Sequence, residues 1–505
     1  MTDPTAPVPA ASFDGGDLDC GNGLLLLIRR HIDPLLPGQV LEVRSREPSV
    51  EEDLPAWARL TGNRLLGVTR DGATRCYHVE KAGAGRSPLP TVPVTEAAKP
   101  IHAPVGGATV PPLSVMGVGS WPRPAWLLRA LHERLSGRLS EDEFERYADD
   151  AVRLAVAAQE RAGVDVVTDG EQRRDSYASF VAARLDNCQL IPVTDLLPYV
   201  ADPAAFADEL KALDVPAEQF RHPAVLGRLG RSRPLAGHEL AFARTVTTRP
   251  VKVALPGPYL LTRTMWLDCV TDKAYPDREA LAADVVRVLR EEAERLIAGG
   301  AAIVQFDEPV LTEVVFDRAA GDRRFMCGAL GTRREPAEEL RFAGDLLRGV
   351  LAGLPRERTA IHVCRGNWSR DEAVALSGPY TPLVPLLASL SVGTYVLELA
   401  TPRAGELDPL ADLPADSRIG VGVVNQKLDR VESVGDVLAK ADAAVRRFGP
   451  DRVLLNPDCG FATFADSPMA SAAVAEAKLR AVAEAARVLR MRYTIGESTP
   501  TVDAR

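Results

Sequence analysis

The decapeptide TAIHVCRGNW, Thr359 to Trp368, sets a histidine and a cysteine two residues apart at the end of an apolar run. On a β-strand, residues i and i+2 point to one face, so His362 and Cys364 share a direction. Two small buried side chains are one reading, because free cysteine is among the most buried residue types. A soft metal site is the other. Further polar residues close other apolar runs: Ser120, Asp169 with Glu171, Asp307 with Glu308, Glu398, Asn425, and Asp458 with Cys459. His362, Cys364 and Cys459, with the Glu398 carboxylate or an open fourth position, make a donor set suited to tetrahedral zinc. Two thiolates cancel the charge of the dication. A third sulfur, brought by a substrate, is deprotonated there yet stays nucleophilic, which points to S-alkylation. Hydrolysis prefers harder histidine and carboxylate ligands. Cys459 as a core residue and Glu398 as the partner of an arginine are the plainer alternatives.

These residues must be carried to one place. Strand-like runs occur at LSVMGVGS (Leu113), VDVVTDG (Val164), VKVALPG (Val251), AAIVQFDEP (Ala301), TAIHVC (Thr359), YVLEL (Tyr395), RIGVGVVN (Arg418) and RVLLNPDCG (Arg452). Helical stretches such as DREALAADVVRVLREEAERLIAGG and VGDVLAKADAAVRRFG separate most of them and end on glycine, as helices often do. Eight near-continuously apolar strands with helices between them predict an α/β fold, a (β/α)8 TIM barrel over residues 113–494. In such barrels the chemistry lies at the C-terminal strand ends, where the polar residues stand. A doubly wound open sheet is the alternative, but no glycine-rich nucleotide-binding turn follows any strand. The stretch from about Arg173 to Arg249 is too long for one crossover and is expected to hold extra helices over the barrel mouth.

The 505 residues allow two domains. The net charge of −9 argues against non-specific nucleic-acid binding. No apolar run is long enough to span a bilayer, GLLLLI from Gly23 being the longest. No export signal opens the chain, so a cytoplasmic protein is expected. Seven scattered cysteines do not read as a disulfide framework. Residues 82–112, rich in Pro, Gly and Ala, read as a linker. Residues 12–81 read as a small α+β domain: strand, loop, helix, strand, helix, strand. Cys20 stands there in a glycine-rich loop opening an apolar helix, where backbone N–H groups favour a thiolate.

Over roughly Pro112 to Thr494 the chain resembles the catalytic barrel of cobalamin-independent methionine synthases (MetE) and their shorter relatives. GSWPRP at Gly119, VVTDGEQRRDSY at Val166, QFDEPVLTE at Gln305, HVC at His362, LEL at Leu397 and NPDCGF at Asn456 carry the resemblance. It implies that His362, Cys364, Glu398 and Cys459 are zinc ligands, Glu398 exchanging against the substrate thiol. It also implies that Ser120, Glu171 and Asp307 hold the amino-acid part of homocysteine. Two carboxylates suit an α-ammonium, and a hydroxyl with nearby N–H groups suits an α-carboxylate. Helix capping or a structural ion pair would otherwise explain Glu171 and Asp307. The small domain resembles the TusA/SirA-like sulfur carriers through DCGNG, PGQVLEV and EEDLPAWARLTGN. In that family the cysteine position, here Cys20, carries a persulfide. Glu398, Asp307 and Cys20 are therefore the expected catalytic residues.

Two departures bear on the electrophile. The duplicate N-terminal barrel of the full-length synthases is missing. Where the folate-using enzymes place a histidine as proton donor, this chain reads GVVNQKLDRVES, with Asn425 and Lys427. Loss of methyl from a tetrahydrofolate amine needs protonation of the leaving nitrogen, which asparagine does not supply. The expected partners are thus a small-molecule thiol and a methyl or alkyl donor such as a corrinoid or corrinoid protein. A persulfide-donating sulfurtransferase joins them if Cys20 carries sulfur. In the usual Cys-Pro-x-Pro of the carriers this chain has CGNG, without the stiffening prolines. Two alternatives stay open: sulfur insertion by persulfide delivered from Cys20 to the zinc site, and a non-catalytic sulfur or zinc carrier.

Overall fold

The computed structural model describes residues 8–18, 24–61, 63–82, 110–192, 221–266, 274–316 and 335–494, with positions 204, 208, 210 and 211. Cys20 and the stretch 83–109 lie outside the described residues.

The N-terminal unit is a four-stranded sheet, β1 (Ala11–Asp14), β2 (Val40–Ser45), β3 (Arg64–Asp71) and β4 (Thr74–Glu80), in the order β1-β2-β4-β3. Its helices span Leu25–Ile32 and Val50–Leu60. Alternation along the strands sends Leu41, Val43, Tyr77 and Val79 into one core with Leu24, Ile28, Leu54 and Trp57. The last strand expected from the sequence is in fact a hairpin. Asp71-Gly72 breaks it, Gly72 taking a φ of +61° that a side chain would resist.

In the large unit six parallel strands form one ladder: β7 (Lys252–Pro256), β8 (Ile303–Asp307), β9 (Thr359–Val363), β10 (Thr394–Leu397), β11 (Arg418–Val424) and β12 (Val453–Pro457). Two shorter staves, around Val115 and Val166, close it into a barrel through single parallel bridges: Val115 to Leu455, Met116 to Val166, and Val167 to Val251. All eight strands expected from the apolar runs are thus present, in order. Long helices over Glu141–Ala162, Arg278–Ala298, Pro336–Leu351, Val434–Phe448 and Ala472–Thr494 cover the outside. Each presents an apolar stripe to the outward side chains of the ladder. Inside, Met116, Val118, Val166, Ile303, Ala360, Val396 and Leu454 form a separate apolar cluster, the floor beneath the mouth.

The excursion between the second and third strands differs from expectation. Besides the helix Gly237–Val246 it contains an antiparallel hairpin, β5 (Asp186–Pro192) with β6 (Arg221–Gly230). The N-terminal unit rests on this hairpin: Gln189 Nε2 donates to Asp33 Oδ2 at 2.7 Å, and Arg30 donates to the Leu226 carbonyl at 3.2 Å. Among the described residues no helix is long and apolar enough to cross a membrane.

Candidate functional site

Five of the eight strand ends, the first, second, fourth, fifth and eighth, line one pocket through Ser120, Glu171, Asp307, His362, Cys364 and Cys459. His362 is the penultimate residue of β9, Cys364 is the first residue beyond it, and Cys459 stands two residues beyond β12. Ligand atoms of these three lie within 4.8 Å of one another, the described residues' one such group of three or more metal-binding side chains. His362 Nδ1 lies 3.0 Å from the Val396 carbonyl, which only accepts, so Nδ1 carries the proton. That leaves the Nε2 lone pair facing the Cys459 sulfur, 3.4 Å away, with the Cys364 sulfur 4.0 Å beyond.

The two thiols are driven apart in acidity. Cys364 is pulled well below the usual thiol range by the Cys459 S–H and by His362, against its burial. Cys459 is pushed up by its hydrogen bond to Cys364 and by burial. A second thiolate beside the first is unfavourable unless a cation balances it. The donor set of one imidazole nitrogen and two sulfurs fits a soft or borderline divalent metal.

Glu398 does not join the three. Its Oε1 accepts from Arg403 at 2.6 Å and its Oε2 from the Arg365 amide at 2.6 Å. Burial raises its carboxyl and Arg403 opposes the rise. The arginine pairing foreseen as the plainer reading is what this conformation shows.

The amino-acid side of the pocket is built from three elements. Ser120 ends the first stave, and its Oγ accepts from the Ala462 amide at 3.2 Å. Its hydroxyl hydrogen is thereby left for another acceptor. A Cβ at Gly460 would stand 2.2 Å from that oxygen, so only glycine permits the approach. Glu171 follows the second stave with φ +54°, an uncommon conformation for a residue with a side chain. Strain of this kind concentrates at functional sites and costs on the order of 1 kcal/mol or more. The Asp169 carboxylate stabilises the turn by accepting from the Glu171 amide at 2.9 Å. Glu171 Oε2 is buried without a hydrogen-bond partner, and Arg174 lies 3.6 Å from Oε1. Burial pushes the Glu171 carboxyl up to about 7; Arg174 opposes this and Asp307 adds to it. Asp307 is also raised by burial, against His362 and a 2.7 Å hydrogen bond from Gln305.

Other strand-end polar residues are structural. Glu308 accepts from the Tyr259 and Leu260 amides at the start of the helix Pro258–Met265. Asp458 accepts from the Leu399 and Ala400 amides and so fastens the loop after β10. Asn425 donates to Glu372, and Lys427 donates to the Ser369 carbonyl at 2.5 Å. Neither of these two lines the pocket. Sequence reasoning missed Tyr177, Asn367, Trp368 and Phe464 in the pocket wall. The cue was positional, for each stands a few residues past a strand-end motif.

A family model described as "Cobalamin-independent synthase, Catalytic domain" matches residues 113–335 and 358–487. A methionine synthase of Sulfolobus acidocaldarius is 27% identical over 353 residues, 70% of this chain and 86% of that protein. One of Saccharolobus solfataricus is 25% identical over 383 residues, 75% of this chain and 96% of that protein. The solved B12-independent methionine synthase from Shewanella sp. W3-18-1, in complex with selenomethionine, has the same fold. Its TM-score is 0.57 at 23% identity, over 76% of this chain and 99% of that one. The chain belongs to the family of cobalamin-independent synthase catalytic domains, methyltransferases of the methionine synthase type.

Proposed function

We propose that the chain is a zinc-dependent S-methyl or S-alkyl transferase whose acceptor is homocysteine or a close thiol relative. The observation that carries this reading is one pocket joining the His362, Cys364 and Cys459 donor atoms to a buried, partly unpaired carboxylate pair. His362, Cys364 and Cys459 would hold the metal; Glu398 joins them only by giving up Arg403 and the Arg365 amide. When bound, zinc supplies a Lewis acid that keeps a substrate sulfur as thiolate near neutral pH. Glu171 and Asp307 receive the α-ammonium, which repays the burial of their charge. The Ser120 hydroxyl donates to the α-carboxylate. Tyr177, Trp368 and Phe464 line the same pocket, and their rings shield a seated sulfur from water.

The donor is proposed to be a methylcorrinoid or another electrophile that needs no nitrogen protonation. Asn425 and Lys427 are both engaged by the loop 369–372 and neither lines the pocket, with Lys427 near enough to Glu398, Cys459 and Cys364 to feel their charge. Metal analysis of purified protein tests the ligand set. Near one zinc per chain is expected, with Cys364→Ser and Cys459→Ser each losing it, since hydroxyl is a poor replacement for thiolate. Full zinc in both variants refutes the ligand assignment. X-ray absorption at the zinc edge should show one additional sulfur when homocysteine is added.

A further inference from the structure

Beneath Asp307 the barrel interior contains a buried polar chain that no step above has used. Along β8 the inward residues are Ile303, Gln305 and Asp307, rising from the apolar floor to the pocket. On the neighbouring strand Lys252 stands level with Ile303 in the ladder and is 1% exposed. Its stem is rooted at floor level and its amine reaches up to Gln305 Oε1 at 2.7 Å. Gln305 Nε2 then donates to Asp307 Oδ1 at 2.7 Å and to the Val118 carbonyl at 3.1 Å.

The chemistry of the three groups gives the chain a direction. Lysine only donates when charged, an ionised aspartate only accepts, and an amide does one at each end. Holding Oε1 on Lys252 commits the amide to present N–H to Asp307. Flipped, the amide would set its oxygen against the carboxylate, and Val118 would lose its donor. A lysine buried without a directly bonded carboxylate is costly. Burial lowers its pKa to about 7 while Asp307, Glu171 and Cys459 favour its charged form. A neutral amine could also accept, and in that state the Val118 carbonyl, which only accepts, still holds the amide in this orientation.

We infer that Lys252 and Gln305 are positioning residues that fix the Asp307 carboxylate for an α-ammonium, and thereby set the preference for an α-amino-acid thiol over one lacking the amine. This rests on the pocket reading proposed above. In the alternative, the pair is a filler of the barrel interior that acts on stability alone.

Equilibrium binding to the zinc-loaded protein separates these. The probes are homocysteine and 4-mercaptobutanoate, which differ only in the α-amino group. Wild type should prefer homocysteine by about a hundredfold or more, because a site built around a hydrogen-bonding group rejects the analogue that lacks it. Lys252→Met frees the amide, and Gln305→Glu keeps an acceptor for Lys252 while turning an oxygen on Asp307. Each should lower the preference about tenfold or more, through homocysteine alone, with 4-mercaptobutanoate binding held within about twofold. A structural role would weaken both thiols together or neither. Loss of affinity for both thiols in parallel, or an undiminished preference in the variants that fold, overturns the inference. Absence of any preference in wild type instead overturns the pocket reading, so the two failures are told apart by the protein in which they occur.

Discussion

Replacing Glu171 by glutamine keeps the shape of a buried side chain and removes its ability to ionise. The carboxyl is held at about 7 in the folded protein against an ordinary 4.5, chiefly by burial. The folded state therefore retains a proton that the unfolded chain has released between roughly pH 4.5 and 7. Stability then falls as pH rises through that window, and the full cost is present above about pH 8. A difference of about 2.5 units corresponds to roughly 3 kcal/mol. Glutamine escapes this cost but gives up the contact with Arg174, which keeps Glu239 at 2.6 Å. Glu171→Gln should therefore be more stable than wild type at pH 8, by about 1–3 kcal/mol, and equal to it near pH 4. Denaturant titration of the barrel transition at the two pH values, followed by tryptophan fluorescence, measures the difference. The same variant should bind homocysteine far more weakly, so stability and recognition move in opposite directions. If Glu171→Gln is less stable than wild type at pH 8, the carboxylate is balanced by Arg174 and by Arg123, a buried guanidinium that donates to the Glu171 carbonyl, and the burial argument is refuted.

Three further outcomes are expected. Gly460→Ala places a methyl 2.2 Å from Ser120 Oγ, so either Ser120 or the loop bearing Cys459 must shift; thiol binding should weaken about tenfold or more, measured by calorimetry. Methionine formation from 5-methyltetrahydrofolate should fall about a hundred- to ten-thousand-fold short of that from methylcobalamin, for lack of a matched acid. Burial does lower the Lys427 pKa toward a useful range, so robust turnover with the folate in wild type, lost in Lys427→Met, would assign it that role. Cys20→Ala should leave zinc content unchanged and abolish any sulfur-dependent reaction; activity that survives with every sulfur source tried makes the small domain a scaffold.

What could be read from residues alone followed from periodicity and from strand ends. The runs beginning at Leu113, Val164, Val251, Ala301, Thr359, Tyr395, Arg418 and Arg452 are continuously apolar because both faces of a barrel strand are buried, and each became a stave. The hairpin of β5 and β6 escaped notice because DNCQLIP and RHPAVLGRLG carry Pro and Gly and few β-branched residues. The β3–β4 turn had its cue in Asp71-Gly72 and was passed over inside a longer run. Glu398 was placed at the right strand end, but its orientation depends on Arg403, five residues on and inside the short turn Pro402–Ala404. No spacing rule foretells such a pair. Lys252 was hidden for the opposite reason: inside an apolar strand a single lysine reads as an edge residue, and only the closed barrel turns it inward.

The barrel is not equally knit around its circumference. From β7 to β12 the ladder is continuous, and His362, Cys364 and Cys459 hang from it. The two remaining staves, which deliver Ser120 and Glu171, are stitched in by single bridges, with Asp165 bracing the Val115 amide from the side. A fold so divided has a firm half that prepares a sulfur and carries Asp307, and a seam that brings in the other two acceptor-reading groups, Ser120 and Glu171. Amide exchange should loosen first along that seam. A substitution there can re-tailor the acceptor while the sulfur-activating half goes on unaltered, which makes the seam the place where new substrates are most readily admitted.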